Sequence, residues 1–178
     1  MNLQWSDWSG WLPFTQESCG RIPEKKGIYE VRADFKIKRL NGDSEILAIG
    51  RATRSNLRAR ISAEICNPAR FMNRCKKWLV RNNHKLGFRW YVAADAKEAE
   101  LREALRHWEY ENEHWEIPPG NDRLEKAPIM KELAKKMNVV DANNLNNLLV
   151  KYHTVEKVAE YLDMPSFVIE NLMVYLYI

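Results

Sequence analysis

The sequence predicts an α+β fold in which a small antiparallel three-stranded sheet is flanked by helices and followed by a small C-terminal helical module. Three short runs rich in β-branched and aromatic residues predict the strands. Longer stretches with apolar residues every three or four positions predict the helices. The breaker IPPGND at 117–122 separates the two parts. We therefore expect a first domain over residues 1–122 and a helical module over 123–178.

The first residues of the chain predict a short packed segment ahead of the sheet. Aromatic residues recur there at helix-like spacing, but Pro13 and Pro23 interrupt any long element. We expect these aromatic side chains to belong to the core: Trp5, Trp8, Trp11 and Phe14.

Two strands are predicted next, over GIYEVRADF at 27–35 and EILAIG at 45–50. Asn41-Gly42 lies between them, and this dipeptide is typical of a tight hairpin turn because both residues tolerate positive φ. The two strands should therefore pair antiparallel.

The period of the apolar residues then changes to that of a helix. Leu57, Ile61 and Ile65 mark a helix from about Ser55, with Ser55 or Thr53 as its N-cap. A second helix follows Pro68 over 69–82. LGFRWYVAA at 86–94 predicts the third strand, and a long charged helix runs from 96 to about 114.

Composition excludes several classes of protein. Of 178 residues, 46% are hydrophobic and 29% are charged, as in ordinary globular domains. No apolar stretch is long enough for a membrane span, and the N-terminus lacks the features of a signal peptide. Three cysteines without CxxC spacing indicate free thiols rather than disulfides or a zinc site. We expect a soluble, cytoplasmic protein with no membrane partner.

Charge is concentrated in one part of the chain. Between Arg51 and Arg89, eleven Lys or Arg residues face a single acid, Glu64, although the net charge of the whole chain is only +4. Such a block is typical of proteins that bind the phosphate backbone of nucleic acid, although two solvated helix faces would give the same count. We expect nucleic acid as the partner, and the candidate contacts are Arg51, Arg54, Arg58, Arg70, Arg74, Lys76, Lys77, His84 and Lys85.

Two tripeptides and their spacing carry a resemblance. Gly27-Ile28-Tyr29 and Ala48-Ile49-Gly50 stand about twenty residues apart, and Asn56-Leu57-x-x-Arg60-Ile61 follows. Over residues 25–122 the chain resembles the GIY-YIG nuclease family, some members of which continue with a segment like EHGELPPxN. The segment EHWEIPPGN at 113–121 follows that pattern, with Trp115 in place of glycine.

The resemblance implies a divalent-metal-dependent endonuclease that hydrolyses DNA. It assigns Tyr29 to deprotonation of the attacking water, Arg60 to the scissile phosphate and Glu103 to a single Mg²⁺ or Mn²⁺ ion. Glu100, one turn earlier, is the alternative metal ligand. His84 and Lys85 are further candidates for proton transfer or phosphate contact. One small active site would cut both strands only in a homodimer or by sequential nicks.

Ala48 departs from the family, which has a tyrosine there. An alanine offers no hydroxyl to orient water. Three explanations stay open: natural divergence with Tyr29 active, a binding protein without catalysis, or an engineered substitution. The alternatives to an endonuclease are accordingly a non-catalytic nucleic-acid-binding protein on the same fold, and a protein-interaction module whose basic block meets an acidic partner.

The C-terminal part predicts four short helices, over 128–137, 142–151, 154–162 and 166–176. Residues 154–169 resemble a helix-turn-helix, with Ser166 capping the second helix. That second helix has no basic residue and one acid, Glu170, whereas base edges are usually read by Arg, Lys, Asn or Gln. A helical bundle that packs on the first domain or forms a dimer interface is the favoured interpretation.

Overall fold

The computed structural model describes residues 7–67, 77, 79, 81–121, 142–162 and 169. The chain divides into two compact units, one over Ser6–Leu124 and one that includes Glu125–Ile178. The first contains the sheet with its helices, and the second contains helices.

The sheet has four strands: β1 (Leu12–Pro13), β2 (Gly27–Lys38), β3 (Asp43–Ala52) and β4 (Leu86–Val92). Their order is β1-β4-β2-β3, and every neighbouring pair is antiparallel. The α+β class is confirmed.

The prediction of three strands is wrong, because the sheet has a fourth strand. The N-terminal segment adds β1 to the outside of β4, with Leu12 opposite Phe88 and Pro13 opposite Gly87. Two residues are too few to show a strand period, and a proline is tolerated on an outer strand because no neighbour needs its missing N–H.

The described helices of the first unit are a 3₁₀ turn (Glu17–Arg21), α1 (Leu57–Cys66) and α2 (Ala96–His114). Asn56 caps α1 by accepting a hydrogen bond from the Ala59 N–H, so the predicted caps Ser55 and Thr53 are wrong. Asn serves as well as Ser at this position, and the carboxamide reaches the N3 amide. Of the predicted helix over 69–82, the structure describes four residues: Lys77, Leu79 and Arg81 are helical, and Asn82 lies in a turn.

The hairpin between β2 and β3 has the predicted antiparallel pairing. Tyr29 lies opposite Gly50 and Val31 lies opposite Ala48. Gly42 has φ +70°, a conformation that suits glycine because other side chains are strained there.

One face of the sheet packs on α1. Because alternate strand residues share a face, Tyr29, Val31 and Ala48 point the same way, and they form one apolar cluster with Leu57 and Ile61. Phe14 joins this cluster and contacts Phe88 edge to face, with ring centres 5.9 Å apart.

The opposite face packs on α2 through charge as well as apolar contact. Glu30 of β2 is fully buried, and its two carboxylate oxygens accept from Arg89 of β4 at 2.6 Å and Arg106 of α2 at 2.5 Å. Arg89 also stacks against Trp8 and Trp11, at 4.5 and 4.7 Å from the ring centres. These two tryptophans are half-buried, so they cover a buried ion cluster rather than fill an apolar core.

The second unit contains α3 (Ala142–Tyr152) and α4 (Val155–Leu162). The rings of Tyr152 and Tyr161 stack at 4.6 Å, and Lys151 lies over both. The predicted helix over 128–137 and, apart from Ile169, the predicted second helix of the helix-turn-helix lie outside the described residues. No helix in the part of the chain described above is long and apolar enough to cross a membrane.

Candidate functional site

A hydrogen-bonded cluster forms where β2 meets α1. The Tyr29 hydroxyl donates to Oε1 of Glu64 at 3.4 Å, and Nη2 of Arg60 lies 2.5 Å from the same oxygen. Tyr29 and Arg60 therefore meet at one carboxylate oxygen. Arg60 and Glu64 share one face of α1 because they are four residues apart. Tyr29 and Arg60, which the sequence assigned to one site, are in contact.

Burial keeps the Tyr29 hydroxyl protonated. Only 4% of Tyr29 is exposed, and Glu64 is buried as well. Burial, reinforced by the Glu64 carboxylate, raises the pKa of Tyr29 well above its ordinary value. Tyr29 is therefore a neutral phenol at physiological pH. Arg60 is half-exposed and can hold one partner inside the protein while offering N–H groups to solvent.

Both glycines of the two tripeptides are required by close contacts. A Cβ on Gly27 would lie 2.1 Å from the main-chain oxygen of Tyr91. The ring of Tyr29 covers Gly50 and leaves no room for a side chain there. The tripeptides therefore position the Tyr29 ring as well as forming strands.

Arg51 and Glu103 form an ion pair on the α2 side of the sheet. Arg51 extends from β3, and its Nη1 donates to Oε2 of Glu103. The Glu103 side chain is only 15% exposed, and burial raises its pKa although Arg51 opposes the shift. Glu100, the alternative ligand, is exposed to solvent.

The two halves of the site interact. Glu103 raises the pKa of the Tyr29 hydroxyl and that of the Arg60 guanidinium, so its carboxylate is within electrostatic range of both. The site therefore combines residues of β2, β3, α1 and α2 around the outer strand of the sheet.

Ala48 lies in the apolar cluster beside this site. It is 7% exposed and packs on the same face as Tyr29. The only hydroxyl that the GIY and AIG tripeptides supply is that of Tyr29.

The segment 113–121 has a structural role. Oδ1 of Asn121 accepts from the Ile49 N–H at 3.0 Å, and its Nδ2 donates to the Ile49 carbonyl at 2.7 Å. The hairpin tip is held at the other end of the segment, where Asn41 donates to the Glu113 carbonyl. Trp115, which replaces the glycine of the resembling pattern, has φ 60° in the left-handed region and is 70% exposed.

Some of the basic residues predicted to contact nucleic acid are bonded to other protein groups, and others are exposed to solvent. Arg58 contacts the Ile22 carbonyl and Glu24, and Nδ1 of His84 lies 3.1 Å from Asp34. Arg54 is exposed and lines an open cleft of about 820 Å³ with Lys25 and Lys26. Lys77 and Lys85 are exposed too, and Arg70, Arg74 and Lys76 lie outside the described residues.

Among the described residues, Glu103 is the candidate ligand for a metal ion. In the described ranges, no three His, Cys, Asp or Glu side chains are grouped closely enough to hold one. Glu103 alone fits a hard cation, because it is a largely buried carboxylate that already balances a positive charge. Mg²⁺ commonly binds one or two carboxylates together with waters and substrate phosphates, so a single Glu103 suffices when a phosphate is present.

Sequence reasoning missed Glu64 as a site residue. In the sequence, Glu64 stands out only as the single acid between Arg51 and Arg89. Its spacing of four residues from Arg60 indicates that the two side chains share a helix face and can pair.

No family model, no curated protein and no solved structure matches the chain.

Proposed function

We propose that the chain is a divalent-metal-dependent endonuclease that hydrolyses phosphodiester bonds of duplex DNA. The observation that carries this proposal is the contact of Tyr29, Arg60 and Glu64 within electrostatic range of Glu103. A phenol, a guanidinium and two carboxylates can supply what phosphodiester hydrolysis requires. Water must lose a proton, and negative charge on the phosphate must be stabilised.

Arg60 binds the scissile phosphate in this proposal. Its guanidinium is held by Glu64, and 44% of its side chain is exposed to solvent. A planar guanidinium with several fixed donors suits a phosphate better than an ammonium does.

Tyr29 and Glu64 take the proton of the attacking water. A phenolate is excluded by the raised pKa of Tyr29, so the hydroxyl accepts a proton only as it passes its own to Glu64. The water oxygen then bonds to phosphorus, and the P–O3′ bond breaks. A metal ion on Glu103 would neutralise the departing 3′ oxygen when bound.

The test uses supercoiled plasmid and a panel of duplexes with Mg²⁺ or Mn²⁺, and EDTA as the metal-free control. We expect the unmodified chain to cleave, Glu103→Gln to bind duplex DNA without cleaving it, and Arg60→Ala to weaken both binding and cleavage. Glu100→Gln is the matched control, since it removes the exposed carboxylate one turn away and should cleave normally. Cleavage by the Glu103 variant would contradict the metal assignment.

A non-catalytic DNA-binding protein is the second candidate, favoured by Ala48 and by the low exposure of Tyr29. Duplex binding with a steep salt dependence, and no cleavage on any substrate, would establish it. Salt-sensitive binding to an acidic protein in place of DNA would instead favour the interaction module.

A further inference from the structure

We infer that Arg51 exchanges partners when DNA binds, leaving Glu103 for a phosphate and so opening the Glu103 carboxylate to a divalent cation. The inference rests on the proposed function and explains how one carboxylate serves two cationic partners. In the free protein the Glu103 oxygen that faces Arg51 is taken by the guanidinium.

The exposed fractions of the two side chains indicate which residue of the pair can reach a ligand in solvent. The Arg51 side chain is 34% exposed, whereas that of Glu103 is 15% exposed. Arg51 is thus the partner with more access to a ligand in solvent, and Glu103 is the more buried one. Arg51 also lies at the end of β3, three residues before Arg54 and its basic cleft, so a DNA backbone in that cleft would pass close to it.

Competition for one oxygen couples the two cations. Nη1 of Arg51 is bonded to Oε2 of Glu103, so a divalent cation that approached this oxygen would meet the positive charge of the guanidinium. Like charges a few ångströms apart oppose each other. A phosphate that pairs with Arg51 removes that repulsion and supplies oxygen ligands to the cation.

The two binding events are therefore coupled. Whatever factor DNA adds to the affinity for the cation, the cation must add to the affinity for DNA. We expect a factor of about ten, within the ordinary range of such couplings.

The experiment measures Mn²⁺ affinity by the loss of its free electron paramagnetic resonance signal, with and without a phosphorothioate duplex that resists cleavage. The unmodified chain should bind Mn²⁺ weakly alone and about tenfold more tightly with the duplex. Arg51→Ala should bind Mn²⁺ more tightly without DNA and lose most of the coupling. Glu103→Gln should bind no Mn²⁺ at this site in either condition.

Arg32→Ala is the matched control. Arg32 lies on β2, its side chain is 36% exposed, and it pairs with Glu45 at 3.2 Å rather than with Glu103, so Mn²⁺ affinity without DNA should equal that of the unmodified chain. An unchanged Mn²⁺ affinity in Arg51→Ala would overturn the exchange, whatever the chain does to DNA. Failure of the unmodified chain to bind any duplex would instead overturn the proposed function and the DNA half of the exchange, while the effect of Arg51→Ala on Mn²⁺ alone would still support competition for Glu103.

Discussion

The ring of Tyr29 lies over Gly50 on the neighbouring strand, so closely that a Cβ at residue 50 would be 2.6 Å from both Cζ and the hydroxyl oxygen. The two residues are direct cross-strand partners. Gly50 therefore fixes where the hydroxyl points, and the hydroxyl in turn reaches Glu64 and Arg60 of α1. A residue without a side chain thus determines the geometry of the candidate site.

Gly50→Ala should destabilise the protein by about 1–3 kcal/mol, because the added methyl group overpacks a buried ring. Denaturant unfolding measures the change. Gly87→Ala is the matched control within the same sheet, where the nearest atoms to a new Cβ are 3.4 Å away. Equal stability of the two variants would show that the Tyr29 ring can move aside freely.

Glu64→Gln should slow single-turnover DNA cleavage about a hundredfold, because Tyr29 loses its proton acceptor. Duplex affinity should be unchanged or higher, since a negative charge beside Arg60 has gone. Glu24→Gln, which removes the carboxylate paired with Arg58, is the control and should cleave normally. A Glu64 variant that cleaves at the normal rate would restrict Glu64 to a structural role.

Ala48→Tyr tests the departure from the resembling family. Ala48 is buried in the apolar cluster, so the larger ring should cost about 1–3 kcal/mol of stability by denaturant unfolding. Plasmid cleavage is measured on the same samples. Cleavage by the unmodified chain would show that alanine is tolerated, and cleavage only by the variant would identify a disabled nuclease.

His107 should make stability fall in mild acid. Burial, with the charges of Arg106 and Arg51, lowers the pKa of His107 from 6.5 to about 4. Between these pH values His107 is protonated in the unfolded chain but neutral in the folded protein. Its contribution to the free energy of unfolding is therefore complete above about pH 6.5 and falls as the pH drops toward 4. The free energy of unfolding should lose roughly 3 kcal/mol over this window. His107→Gln should show a correspondingly flatter pH dependence, and parallel profiles would contradict the assignment.

Trp115→Gly should stabilise the protein by about 1 kcal/mol, because only glycine adopts the left-handed conformation without strain. The indole is mostly exposed, so little apolar contact is lost. Thermal unfolding measures the change. A lower melting temperature would mean that the ring contributes more than its exposure suggests.

The parts of the fold that depend on local pattern could be predicted from the sequence. The hairpin followed from Asn41-Gly42, and α2 from its apolar stripe, which is buried as expected at Leu101, Ala104, Leu105 and Trp108. β1 could not be predicted, because its two residues pair with a strand more than seventy positions away.

The candidate site was predicted only in part, for the same reason. Tyr29 and Arg60 came from a resemblance and are in contact. The pairing of Arg51 with Glu103 depends on α2 crossing β3, fifty-two residues later in the chain. Hydrophobic periodicity describes neighbouring residues and cannot predict a contact between residues so far apart in the chain. The contact between Glu64 and the Tyr29 hydroxyl could not be predicted, because it depends on how β2 packs against α1.

Asn121 limits how two copies of this chain could associate. β3 is an outer strand of the sheet, and such strands offer unpaired N–H and carbonyl groups to other molecules. At Ile49 both groups are already bonded to the Asn121 carboxamide, and the Leu47 carbonyl accepts from the Gly120 N–H. A second chain therefore cannot extend the sheet along this stretch, and a pair of copies arranged to cut both DNA strands would have to associate through another surface.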